Sequence, residues 1–81
     1  MPRSPSIRAV TFEEAPARTR TVTNADAAGR ALLTHGDTAT KQYRQAVRSV
    51  VALSEGNVDP EKVRKDFIAA LKVAGVFVHD A

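Results

Sequence analysis

Residues 18–33 read RTRTVTNADAAGRALL, and the rule that orders the apolar positions changes partway through. Up to Thr23 the residues alternate. Thr19, Thr21 and Thr23 share one side, and Arg18, Arg20 and Val22 share the other, as in a strand. From Asn24 onward alternation stops. Ala28, Leu32 and Leu33 fall at helical spacing and predict a buried stripe. Thr23-Asn24-Ala25-Asp26 marks the border. It offers a hydroxyl followed three residues later by a carboxylate, and either Thr23 or Asn24 can cap the helix. One strand therefore runs straight into one helix, so both element types share one small domain.

Upstream, residues 7–12 (IRAVTF) alternate again, with Val10 and Phe12 on one side and Ala9 and Thr11 on the other. Pro16 in EEAPA cannot donate to a ladder and belongs in a turn. The expectation is a β-hairpin over residues 7–23, with Glu13 and Glu14 solvated near the turn. Downstream, the first helix is expected to end at His35-Gly36 through a left-handed glycine. Thr38 or Thr40 opens a second helix. Its Tyr43, Ala46, Val47, Val50 and Leu53 span an arc of about 160°, wider than one buried face needs. Gly56 stops it. Asp59-Pro60-Glu61 then supplies a carboxylate cap, a proline at the first helical position and an acid in the positive first turn. The third helix follows, Val63 through Ala74, and Gly75 ends it. Val76-Phe77-Val78 is too apolar for a free tail and is a candidate third strand.

A hairpin alone is marginal in water. Val10, Phe12 and Val22 must be covered by helices. The expected fold is therefore α+β and two-layered, an N-terminal hairpin packed on three helices (β-β-α-α-α) with a candidate short C-terminal strand. Residues 1–6 read as a flexible end, 7–78 as one domain and 79–81 as a C-terminal end.

The 81 residues make a single domain with a small core: 43% are hydrophobic, but fourteen of those residues are Ala. The chain has no Cys, which excludes disulfides and thiolate metal sites. A formal charge of +3 beside a pI of about 9.8 reflects twelve Lys and Arg against nine Asp and Glu. It does not describe a basic tail of the kind that binds nucleic acid by charge alone. No apolar run reaches the ~18 residues of a membrane span, and MPRSPSIR lacks the apolar segment of a secretory signal. The expectation is a soluble, cytoplasmic protein with no membrane partner.

Several placed residues together resemble a known pattern. They are Ala27-Ala28, Leu32-Leu33, Tyr43-x-x-Ala46, Leu53-x-x-Gly56, Arg64-x-x-Phe67-Ile68-x-Ala70 and Ala74-Gly75. Their order and spacing over residues 8–78 resemble the bacterial family catalogued as domain of unknown function 982. Members often carry Trp-Pro after the first helix, where this chain has Thr34-His35-Gly36-Asp37. The resemblance implies fold and size. The family has no established activity, so it implies no functional residue.

Catalytic, cofactor and metal signatures are not found in the sequence. His35 and His79, with Asp37 and Asp80, have no diagnostic metal spacing. Ser49 and Ser54 have no histidine near them in sequence, and none of the four Gly forms a phosphate-binding loop. We therefore expect no enzyme, no cofactor and no metal. Two surfaces remain. Ile68 lies off the third helix's stripe of Val63, Phe67, Ala70, Leu71 and Ala74, among Glu61, Arg64 and Lys65. With Val51 and Val73 it forms a candidate protein interface, for a second copy or another protein; the surface that Ile68 covers could equally be the hairpin of the same chain. A fully buried Ile contributes about 1.5–3 kcal/mol, useful to so small a domain. The alternative is a nucleic-acid-binding regulator. Lys41, Arg44 and Arg48 lie within about 60° on one helix face, and Arg18 and Arg20 on strand two would extend the stripe.

Overall fold

The computed structural model describes residues 5–79. The expectations for residues 1–4 and for Asp80 and Ala81 fall outside them. The elements are β1 (Ser6–Ala15), β2 (Arg18–Asn24), α1 (Ala25–His35), α2 (Lys41–Ser54) and α3 (Pro60–Val73). The α+β class and the β-β-α-α-α order are as the sequence predicts.

β1 and β2 form an antiparallel hairpin with Val10 opposite Val22, Thr11 opposite Thr21 and Phe12 opposite Arg20. The side chains of Val10, Phe12 and Val22 are fully buried. On the outer face Thr11 and Thr21 join their hydroxyls at 2.9 Å. The register shifts between Ser6 and Val10. That bulge re-phases the strand, so Ile7 and Val10, three residues apart, are both buried. Ser6 is thus part of a strand. The carbonyl of Pro5 accepts from the Ala25 N–H at 2.8 Å, tying the strand's start to α1. The turn is Pro16-Ala17, and Ala17 takes φ 60°, a left-handed conformation without a glycine to ease it.

Residues 76–79 return to the hairpin, as expected, but as a single bridge. Val78 pairs with Phe12. The Glu13 N–H donates to the Phe77 carbonyl and the His79 N–H to the Thr11 carbonyl, both at 2.9 Å. β1 therefore has a neighbour on each side at Phe12.

The caps are local and legible. Asn24 Oδ1 accepts from the Ala27 N–H at 2.8 Å, Thr40 Oγ1 from Tyr43 at 3.1 Å, and Asp59 Oδ1 from Glu61 at 2.9 Å. Gly56 and Gly75 take positive φ after α2 and α3. Gly36 differs from expectation: its φ is −75°, not left-handed. Glycine is needed there for space. A Cβ would sit 2.6 Å from Tyr43 Cδ2 and 2.7 Å from the Leu32 carbonyl oxygen.

Layering follows from which helices touch the sheet. α1 contacts both strands, α3 contacts β1, and α2 contacts only the other two helices. α2 therefore meets the hairpin only by way of α1 and α3. Phe12 is the hub between sheet and helices. Its ring meets Phe67 edge-on at 6.3 Å and His35 at 5.5 Å.

Ile68 answers to the same core. It is 8% exposed and buried within its own chain. One turn before it, buried Arg64 donates from Nη2 to the carbonyl of Ala9, inside the β1 bulge, at 3.3 Å. α3 packs against helices on one side and β1 on another, so its buried arc is wider than a single stripe. Leu33 is the converse. Expected in the core, it is 78% exposed, because Ala25, Ala28, Ala31 and Leu32 already fill the buried side of α1.

Candidate functional site

α2 separates two surface grooves of opposite character. On its α1 side lies an apolar groove of about 430 Å³, whose walls include Gly29, Leu33, Tyr43, Val47 and Val51. Leu33 and Val51, the latter 52% exposed, stand at its margin. The charged residues on this side are Asp26 and Arg30, which pair with each other at 3.2 Å one turn apart. Gly29 sits in the interior of α1, where glycine costs about 1 kcal/mol relative to Ala. A Cβ there would meet only Val50 Cγ1, at an ordinary 3.7 Å. Packing within the chain does not call for the glycine.

On the α3 side lies a groove of about 600 Å³, walled by Lys41, Arg44 and Arg48 from α2 and Lys62 from α3. Lys62 Nζ is 2.8 Å from Asp66 Oδ2. Ser49, buried at the groove floor, donates its hydroxyl to the same oxygen. Among the described residues, Lys41, Arg44 and Arg48 have no acidic partner. Asp37, which precedes the helix, turns its Oδ1 onto the Ala39 N–H at 3.0 Å.

The structure sorts the expected interface residues. Val51 lines the apolar groove. Val73 is exposed at the end of α3, outside that lining. Ile68 is withdrawn into the core, so a partner surface built on it is not available. The sequence pattern assigns Leu33 to the core instead of the surface and does not single out Gly29. Leu33 sits beside a buried Leu at helical spacing, and only the packed helix separates the two.

The basic residues are sorted as well. Lys41, Arg44 and Arg48 share one groove. Arg18 and Arg20 do not join them, because α2 touches neither strand. Arg20 is engaged by Glu14 at 2.9 Å. Lys62 takes their place, an addition the sequence does not suggest because it comes from another helix.

Glu14, expected to be solvated, is a small electrostatic centre. Its Oε1 meets Arg20 and, at 3.4 Å, His35 Nε2. A carboxylate only accepts, so Nε2 carries the hydrogen in this contact. The His35 hydrogen bond lowers the Glu14 carboxyl from its ordinary value against the opposing effect of burial, and the hydrogen bond and charge of Arg20 add to the lowering. His79 lies elsewhere, edge-on to Phe77 at 4.8 Å. No cluster of three or more potential metal ligands forms among the described residues. No helix among them is long and apolar enough to cross a membrane.

The chain matches no protein-family model, no curated protein and no solved structure.

Proposed function

We propose that this protein is a non-enzymatic interaction module that pairs with a second copy of itself through the groove between α1 and α2. The observation that carries the reading is the juxtaposition of Leu33, 78% exposed, with the bare backbone of Gly29 one turn earlier on the same helix.

A projection and a recess side by side form the kind of patch that an isologous contact uses. Two α1 helices crossing antiparallel about a two-fold axis near position 31 bring each Leu33 over the other copy's Gly29. The glycine then has a purpose that its own chain does not give it: close approach by a neighbour. The rim charges suit self-pairing, because Asp26 and Arg30 cancel and no net charge is forced against its like. A non-enzymatic role agrees with the hydroxyl of Ser49 being spent on Asp66 rather than on a histidine.

Magnitudes set the affinity. Burying Leu33 and Val51 contributes about 1.5–3 kcal/mol each, against an association cost of about 4 kcal/mol or more. Four such side chains over the two copies give at most about 12 kcal/mol, so the expected dissociation constant lies between roughly micromolar and millimolar, about −8 to −4 kcal/mol.

Sedimentation equilibrium from about 1 µM to 1 mM tests it. The expected result is a monomer–dimer equilibrium that Leu33→Glu abolishes. Gly29→Ala is the sharper variant. It should raise the melting temperature of the monomer by improving helix propensity while weakening the dimer at least tenfold. A wild-type chain that stays monomeric at 1 mM overturns the reading. So does a dimer indifferent to both substitutions.

A further inference from the structure

We propose that the groove between α2 and α3 binds the phosphate backbone of nucleic acid, without reading its sequence. The argument is electrostatic and geometric, and it concerns the opposite side of α2 from the pairing surface.

Lys41, Arg44 and Arg48 occupy positions i, i+3 and i+7 of one helix and line one wall. Neighbouring like charges at these spacings weaken a helix by about 0.2–0.5 kcal/mol per pair. Lys41 also stands in the first turn of α2, where the helix dipole favours acids, and that turn contains none. α2 thus tolerates three repulsive placements on one side, and no acidic side chain lines the groove to relieve them. Asp66, the nearest acid to the floor that the contacts reveal, is occupied by Lys62 and Ser49. A bound anion supplies the missing counter-charge.

The row selects among anions. Seven helical residues rise about 10.5 Å, so the three cations form a row along one helix face, in steps of about 4.5 and 6 Å. A nucleic-acid strand presents phosphates in such a row. Arg44 and Arg48 can each hold one through the paired N–H donors of a guanidinium. Lys62 on the opposite wall makes the site a trough, suited to tracking a backbone. A lipid surface would need apolar side chains projecting beside the cations. The one large apolar residue in this lining, Val58, is half-buried, while Leu33 and Val51 lie on the other side of α2. The lining holds no aromatic ring for base stacking, so no sequence preference is expected.

The test is fluorescence anisotropy with a labelled mixed-sequence 20-nucleotide duplex and its single strand, from 50 to 200 mM salt. Three phosphates neutralised predict a log–log slope of about −2.7 on the duplex and about −2.1 on the single strand. Duplex affinity should then fall about 40-fold over that range. Arg44→Gln and Arg48→Gln should each lower the duplex slope by about 0.9 and leave the thermal melt in place, whereas Lys72→Gln should change neither. Absence of binding at 50 mM salt overturns the proposal. A slope untouched by the Arg44 and Arg48 variants does the same. Vesicles containing anionic phospholipid form a further arm, and binding to them in preference to the oligonucleotides also overturns it.

Discussion

Gly36 shows how a residue can be right for a reason its sequence context does not reveal. After His35 it looks like a left-handed helix stop, yet its backbone is extended. What it lacks room for is a Cβ, between the Tyr43 ring and the Leu32 carbonyl. Gly36→Ala is therefore expected to destabilise by about 1–3 kcal/mol through overpacking, read as a lower urea midpoint with the slope unchanged. Glu14 gives a pH signature at the same scale. Its folded-state carboxyl ionises more readily than a free one because His35 and Arg20 stabilise the charged form. The stabilisation is complete above the usual carboxylate range and is lost as pH falls through the lowered folded value. Glu14→Gln should thus be less stable than wild type at pH 7, and the two should converge at strongly acid pH in paired melts. The caps Asn24, Thr40 and Asp59 were legible because a cap acts within three residues. Glu14 and Gly36 were not, since their partners lie 21 and 7 positions away, on other elements.

Between elements, α2 and α3 are fastened by a polar link in addition to their apolar sides. Ser49 Oγ and Lys62 Nζ both converge on Asp66 Oδ2. Ser49→Ala removes one donor and leaves the ion pair, so the expected loss is about 1 kcal/mol. Asp66→Ala leaves a buried hydroxyl without its acceptor as well as removing a charged bond, and should cost about 1.5–3 kcal/mol. Chemical denaturation of both variants and of the double variant checks the order, and non-additivity in that cycle reports the coupling. The existence of both helices was readable from apolar spacing and stop signals. Their mutual orientation was not, and Ile68 illustrates the cost. A helical wheel assigns one inner face, whereas α3 lies between the other helices and β1. Its side chains are buried over a wider arc, with Arg64 included. The wide arc of α2 was visible in the sequence, but the sequence did not divide it between core and groove.

Over the molecule as a whole, the hairpin packs on α1 and α3, α2 packs on those two helices, and the radius of gyration is 11.6 Å. Size scaling gives about 12 Å for a closed domain of this length, so there is little slack in the packing. Phe12 joins the parts: its ring touches α1 and α3, and its backbone lies between Arg20 and Val78. Phe12→Ala is expected to cost about 3–5 kcal/mol. A domain of this size has a total of about 5–10 kcal/mol, so circular dichroism should find the variant partly unfolded near 37 °C. The α+β class and the burial of Val10, Phe12 and Val22 were legible because strand and helix periods differ plainly on either side of Asn24. The two grooves flanking α2 were not, since they depend on where one helix lies relative to two others. Lys62 and Leu33 enter them only through that placement.

The Phe12–Val78 bridge spans 66 positions, the difference of their numbers. During synthesis at about 5–20 residues per second, the outer border of β1 must wait some 3–13 s for its last neighbour to be made. In that interval the nascent chain presents an unmet row of amides and carbonyls beside Phe12. A ribosome-bound chaperone, or another nascent copy, would encounter that row before residues 76–79 could reach it.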